Sequence, residues 1–408
     1  MPHVRSIVFL PSSGFGTDIA MASSALAFML SRAVLPSTGD AVLIIESSEG
    51  DIHEESTRWL RFLAAAGKSP NTVRAYGLRL APYLSWSVAS GRDWRQVRLT
   101  DLVEWKTAVV ATPCSGAKGG PRPRKAGTVD AWMTAVVEFY KWAEAAAVVE
   151  PALSGLIYES RYIAAGVYGG EQGRVRQVKV PELQARRNEE TPAPEWIESA
   201  QARAALLDLE LAARDRFLVD LLFFTGLRIG EALALFRQDL HFLGENSGLG
   251  CRIRGPHIHV RSNEVLNGAR AKTGHRWVPV PDRVVFSYED YLLERRDILG
   301  IDANPHVFVN LYRSSRGASM SYAGVVDLFH RISKSVSTRV RPHMLRHTRA
   351  TMWLRGIDTP RLDLDTVRVL LGHASLEATS IYAHSRAEDL RAAVGNASLP
   401  GTGDENGR

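Results

Sequence analysis

The chain has 408 residues, too many for one ordinary domain and enough for two or three. With 45% apolar and 23% charged residues it has the composition of a soluble globular protein, not of a disordered chain. Fifty Lys and Arg against 44 Asp and Glu give a formal charge of +6 and a pI near 9.4, which favours an anionic partner such as nucleic acid without requiring one.

Two cysteines, Cys114 and Cys251, are too few for a disulfide framework and fit a reducing cytoplasm. The longest apolar stretch, Ile19 to Leu35, is interrupted by Ser23, Ser24, Ser31 and Arg32. It is too short and too polar to span a bilayer, and it lacks the basic start and cleavage site of a signal peptide. No membrane contact is expected.

Residues 1–50 show no strong pattern and read as an N-terminal appendage of unknown role. Met21 and Met29 are further candidate starts, so part of the segment need not belong to the working protein. Residues 51–150 read as a compact helical domain. Val73, Tyr76, Leu80, Tyr83 and Leu84 share a face at helical spacing, with Asn71 or Thr72 as cap and a kink expected at Pro82. A second helix is expected from Thr100. A third opens at Thr128 and carries Val129, Trp132, Met133, Val136, Tyr140 and Ala143 on one stripe. Between these two lies GAKGGPRPRKAG, in which Lys118, Arg122, Arg124 and Lys125 stand without an acid. Alone, such a run is a solvated loop; beside a DNA-cutting domain it would neutralise phosphates.

Residues 151–195 are rich in Gly, Pro and charge and read as a basic interdomain linker, with Arg174, Arg176, Lys179, Arg186 and Arg187 as further candidate DNA contacts. Residues 196–394 form the next domain. A buried helix from Phe217 to Phe224 is stopped by Gly226, and another starts near Arg228. Ile258 to Ser262 alternates like a strand, Asn267-Gly268 and Thr273-Gly274 mark turns, and RWVPV (276–280) is strand-like. From Ser321 to Ala393 the pattern is helical, and the tail, 395–408, reads as disordered. The fold class expected is mainly α with a small antiparallel β-sheet.

Four segments carry the chemistry: TGLRIGEALAL (225–235), NGARAKTGHRWVPVP (267–281), HMLRHTRAT (343–351) and LLGHASLEATSIYAH (370–384). Arg228 sits just past a helix-terminating glycine at the opening of the next helix, where N–H groups favour an anion. His343 and Arg346 share a helix face, with His347 beside them, and His373 follows Gly372. Two guanidiniums and two imidazoles converging on one point make a poor structural core but a good phosphodiester cradle, because Arg matches two phosphate oxygens and keeps its charge. Phosphoryl transfer then needs a nucleophile, which Tyr382 can supply, and a proton for the leaving 5′ hydroxyl, which Lys272 can supply. Singly, each has an ordinary explanation: a core tyrosine, a solvated lysine, a surface arginine at a helix junction, or a helix-face HxLRH with a carboxylate partner or a metal.

In this order, Arg…Lys…HxxR…LGHxS…Tyr between residues 228 and 382 resembles the catalytic domain of the tyrosine recombinases, the family of phage integrases, chromosome-dimer-resolving recombinases and some transposon-encoded recombinases. The resemblance is carried by HxLRHT, LLGHAS and IYAH over about 190–390 and by helical pattern alone over 55–150. NGARAKTG is similar to the hairpin of the transposon-encoded branch. The resemblance implies an N-terminal SAM-like core DNA-binding domain before a catalytic domain. It implies that Arg228, Arg346 and His373 hold the scissile phosphate, that His343 helps deprotonate Tyr382, and that Lys272 is the general acid. Glu231, one turn after Arg228, is a candidate acid for orienting the site; His347 receives no role. TPRLDLD (359–365) is a slightly long connection before LLGH and leaves the catalytic set intact.

The family implies a 3′-phosphotyrosyl link, a four-way junction and four protomers on two duplexes, assembled from a free monomer or dimer. It implies a specific double-stranded DNA site, accessory recombination proteins in some systems, a place at the nucleoid, and no cofactor, metal or ATP. Three alternatives remain at this point: a type IB topoisomerase with the same chemistry, a non-catalytic DNA-binding factor on this scaffold, and a zinc protein. The last rests on Cys251, His257 and His259 and on the spacing of His343 and His347, against the lack of any CxxC and the usual exposure of strand histidines.

Overall fold

The computed structural model describes residues 27–34, 39–116, 119–150, 153–163, 174–185, 194–261, 275–312 and 315–382. The chain divides into two units, 1–190 and 191–408, and none of the described helices is long and apolar enough to cross a membrane.

The first unit begins with an antiparallel hairpin, β1 (Phe28–Val34) and β2 (Ala41–Ser47), in which Phe28 opposes Ser47. Helices α1 (Glu54–Ala65), α2 (Pro70–Ala89) and α3 (Leu99–Ala111) follow. After a short hairpin, β3 (Cys114–Gly116) and β4 (Gly119–Arg122), comes α4 (Ala126–Ala145). Ser69 caps α2 through its hydroxyl, which accepts from the Thr72 N–H, and Pro70 takes the first helical position, where a missing N–H costs nothing. The cap is therefore two or three residues earlier than the sequence suggests, and the helix runs on through the buried Pro82. The stripe on α4 is buried as its period requires, and Tyr140 donates to the Trp94 carbonyl at 2.8 Å.

Residues 28–47 are no appendage. Ile45 is fully buried in the core of the helices, Phe28 N–H donates to Ser85 Oγ at 2.9 Å, and Leu30 lies so close to Gly77 that an added Cβ would meet its Cδ1 at 2.5 Å. Much of the expected linker also belongs to this unit. It forms α5 (Leu153–Ile157) and a hairpin, β5 (Tyr158–Ile163) and β6 (Arg174–Lys179), after which Leu183 is fully buried and Ala185 N–H donates to Asp130 Oδ1 at 2.8 Å.

The second unit starts with α6 (Ala200–Asp208), α7 (Ala213–Thr225) and the short α8 (Ile229–Leu233). A three-stranded antiparallel sheet follows, β7 (Leu240–His241), β8 (His257–Val260) and β9 (Arg276–Pro279), with β8 central. Helices α9 (Asp282–Leu299), α10 (Tyr322–Ser335), α11 (Pro342–Arg355), α12 (Leu364–Leu371) and α13 (Glu377–Ser380) complete it. Phe217, Leu218, Leu221 and Leu222 of α7 are fully buried and form the centre of this core with Val284 and Tyr291 of α9. TPRLDLD runs from a loop into the first residues of α12, which Asp363 caps by accepting from the Thr366 N–H. The turns at 267–268 and 273–274 and the tail from 395 lie outside the described residues.

Candidate active site

Gly226 takes a left-handed φ of 64° at the end of α7, and this sharp exit delivers Arg228 to the start of α8. Glu231, 1% exposed, accepts from the Arg228 backbone N–H at 2.9 Å and from Arg228 Nη1 at 3.1 Å. Arg276, from β9, reaches the same carboxylate with Nη2 at 2.9 Å and gives its Nε–H to the Leu370 carbonyl at 3.0 Å. A carboxylate so deeply buried needs these two guanidiniums. The helix that follows, α8, is only five residues long, and Glu231 takes the backbone N–H of its cap residue, Arg228. The Arg228 side chain keeps 29% of its surface exposed.

Arg346, on α11, is 1% exposed. Its Nη1 donates to the Gly226 carbonyl at 2.8 Å, and its Nη2 to the Leu371 carbonyl at 2.9 Å and to His373 Nε2 at 2.7 Å. Since Nε2 accepts, the His373 proton sits on Nδ1, which bonds Thr379 Oγ1 at 2.8 Å. Burial first, then the charges of Arg346 and Arg228, lowers His373 to about 4, so it is neutral near pH 7. Burial also lowers Arg346, to about 10, which leaves it cationic. Gly372 turns at φ 64°, and a Cβ there would lie 2.7 Å from Arg276 Nη1. Only glycine lets that guanidinium pass against the turn presenting His373.

Tyr382 packs its ring against a small cluster of Ala350, Trp353, Val367 and Leu371 and is 6% exposed. Its hydroxyl lies 2.9 Å from Nδ1 of His347. Burial raises the Tyr382 phenol above its ordinary value, while Arg346 and Arg228 act in the opposite sense. Burial, followed by the charges of His343 and Arg346, lowers His347 to about 4. The exposed His343 stacks edge-on to His347 with ring centroids 4.3 Å apart, so it reaches the tyrosine through its neighbour. Of the two α11 histidines it is His347, not His343, whose ring nitrogen lies within hydrogen-bond distance of the Tyr382 hydroxyl.

Residues 195–389 match the phage integrase family, and residues 57–147 match the phage integrase N-terminal SAM-like domain. The chain belongs to the phage integrase family of tyrosine recombinases. It is a tyrosine-type site-specific DNA recombinase. Among its relatives is transposase A from transposon Tn554 of Staphylococcus aureus, 25% identical over 359 residues, which cover 85% of this chain and 92% of that one. Tyrosine recombinase XerC of Chlamydia trachomatis is 33% identical over 202 residues, 48% of this chain and 55% of that one. In fold it is similar to the Tn1549 transposon integrase in complex with circular intermediate DNA (TM-score 0.54, 16% identity, 83% and 98% coverage). It is also similar to the XerH recombinase bound to its difH substrate after cleavage (TM-score 0.53, 19% identity, 79% of each chain).

Of the residues singled out in the recombinase sequence, the second unit gathers Arg228, Glu231, His343, Arg346, His373 and Tyr382; Lys272 lies outside the described residues. Arg276 and His347 are additions. Arg276 was hidden in a strand pattern, as the cation that opens RWVPV. In the first unit Arg122 and Lys125 are exposed, while Lys118 lies outside the described residues. Arg124 is a correction: it is 8% exposed, donates to the Thr112 carbonyl at 3.0 Å and lies over the Trp132 ring at 4.6 Å, which makes it a structural cation. Lys179 is half-buried and donates to Thr134 Oγ1 at 2.9 Å. Arg174 and Arg176 lie on β6; Arg186 and Arg187 are outside the described residues.

Proposed function

We propose that Tyr382 is the nucleophile, cutting one DNA strand by attack of its oxygen on the scissile phosphorus. The new bond is a 3′-phosphotyrosyl ester; the bond broken is that to the 5′ oxygen, which leaves as a hydroxyl. The observation that carries this is the Tyr382 hydroxyl, 2.9 Å from His347 Nδ1, at the edge of the Arg228, Arg346 and His373 cluster. Neutral His347 accepts the phenolic proton, and the negative charge of the bound phosphate offsets the charge that results. A bound phosphate raises both histidines by its own negative charge, which makes His347 a stronger base than in the free protein.

Arg228 and Arg346 neutralise the non-bridging oxygens, and neutral His373 adds a hydrogen bond once Arg346 turns toward the phosphate and the ring proton moves from Nδ1 to Nε2. Glu231 and Arg276 hold Arg228 in place. Lys272 protonates the leaving oxygen. Because the phosphotyrosyl ester keeps the energy of the broken bond, a second strand's 5′ hydroxyl reverses the step without ATP. Full exchange uses a specific site on each of two duplexes, a four-way junction and four protomers, with accessory proteins where the site needs bending. Arg122, Lys125, Arg174 and Arg176 add phosphate contacts, and the protein works at the nucleoid.

The test is a labelled nicked duplex resolved on a denaturing gel. Tyr382→Phe should bind DNA as the wild type does and form no covalent adduct. A full-strength adduct would remove Tyr382 from the role.

A further inference from the structure

The second unit holds another cluster of reactive side chains, made of residues the recombination chemistry does not use. His241 on β7 stands opposite His257 on β8, and His259, two residues further along β8, points to the same face. The loop between these strands folds back on itself. Asn246 Nδ2 donates to the carbonyls of Leu243, Ile253 and Gly255 at 2.9, 3.3 and 3.2 Å, and Cys251 N–H donates to the Asn246 carbonyl at 3.2 Å. The fold-back carries the Cys251 thiol onto the histidines.

Two features show what this group is built for. His257 Nδ1 lies 2.8 Å from the Gly255 carbonyl, which can only accept, so the ring proton sits there and Nε2 turns a bare lone pair inward. That Nε2 lies 3.1 Å from His259 Nε2 and 3.4 Å from Cys251 Sγ, and Cys251 Sγ lies 3.5 Å from His259 Nε2. A tetrahedral zinc with Zn–N of about 2.0–2.1 Å and Zn–S of about 2.3 Å requires ligand separations of about 3.3 and 3.6 Å. The observed edges match within about 0.2 Å, so an ion could enter with only a slight spreading of the ligands. His241 supplies the fourth corner: one ligand atom from each of the four residues lies within 4.8 Å of all the others. His241 is 6% exposed, and its Nδ1 is buried with no hydrogen-bond partner. Lone pairs facing one another repel, and a cation among them satisfies all four at once.

We propose that His241, Cys251, His257 and His259 bind one zinc ion. A set of three imidazoles and one thiolate suits zinc, and four protein ligands leave no open position, so the ion is structural. It clamps β7, the 242–256 loop and β8 together. The partner of β8, β9, carries Arg276, so the ion fixes the platform from which Arg276 reaches Glu231. The sequence alone weighed against a metal because CxxC is lacking and strand histidines are usually exposed. In the fold His257 is 1% exposed, and the pairing of β7 with β8 adds His241, which no motif marks.

The experiment measures metal content by plasma mass spectrometry on the purified full chain, then records the absorption spectrum of the same chain with cobalt(II) in place of zinc. The wild type should hold about one zinc per chain, and the cobalt form should show intense tetrahedral bands with a thiolate-to-metal charge-transfer band. Cys251→Ser should abolish the charge-transfer band and His259→Gln should lower the zinc content at least about tenfold, while Cys114→Ser leaves both unchanged. If either cluster variant fails to fold, the wild-type and Cys114→Ser spectra decide alone. A wild type without zinc and without the charge-transfer band overturns the proposal, as does undiminished zinc in a folded His259→Gln variant.

Discussion

Removing His347 should separate the proton acceptor from the rest of the charge cluster. Its Nδ1 lies 2.9 Å from the Tyr382 hydroxyl, and His347→Ala leaves Arg228, Arg346 and His373 with their own partners. A general base contributes on the order of 10²–10⁴ in rate. Because His347 sits at about 4 and is a weak base, the loss should fall at the lower end, about 10²-fold. The pH profile carries more information than the rate. His347 acts when unprotonated, so wild-type cleavage should be flat near neutrality and fall only as acid protonates this ring. In His347→Ala the phenol, raised by burial, must ionise to solvent, so the rate should climb about tenfold per pH unit through neutrality. His343→Ala, which removes only the stacked neighbour, should slow the reaction less and leave the profile flat. The assay is single-turnover adduct formation on a nicked duplex at saturating protein. If His347→Ala stays within about threefold of wild type with a flat profile, or if His343→Ala alone reproduces the sloped one, the proton passes through another group.

Truncation to Asp51 deletes Ile44 and Ile45, both buried, and should cost on the order of 3–6 kcal/mol in the first unit, read by denaturant unfolding; an unchanged transition would mean the hairpin does not support the helices. Replacing Arg122 and Lys125 with Ala should flatten the slope of log K against log salt by up to about 2, whereas Arg124→Ala should leave that slope alone and lower stability by about 1–2 kcal/mol. An Arg124→Ala slope as shallow as that of the double variant would put this residue back on DNA. Lys272→Ala should be slow on a normal phosphodiester and close to wild type on a 5′-bridging phosphorothiolate, whose sulfur leaves without a proton; equal slowness on both would make Lys272 a charge stabiliser only.

The catalytic motifs were legible because their residues lie at fixed spacings on helices or beside glycines. Gly226 turns left-handed where the sequence placed a helix stop, with Arg228 two residues on, and Gly372, which the sequence set beside a helix start, instead ends α12 with His373 next. Helical stripes such as Val129 to Ala143 were legible for the same reason, since period alone selects the buried face. What escaped depends on contacts remote in sequence. The β1–β2 hairpin was missed because AVLII alternates with nothing, and a short apolar run fits a buried helix as well as a strand. The charged stretch at 151–185 gives no hint that Leu183 seals a core. Arg276 and Arg124 look like surface cations until the fold supplies a buried carboxylate for one and a carbonyl with an indole for the other. The choice between His343 and His347 turns on which face of α11 meets Tyr382, 35 residues further along the chain.

The central claim is that one side chain, the Tyr382 phenol, carries the DNA between cutting and rejoining. Trapping the covalent complex on a nicked duplex, digesting protein and DNA, and sequencing the nucleotide-bearing peptide by mass spectrometry tests it directly. The account predicts the residual nucleotide on Tyr382, linked through a 3′ phosphate. A nucleotide on any other residue, or one linked through a 5′ phosphate, would contradict it.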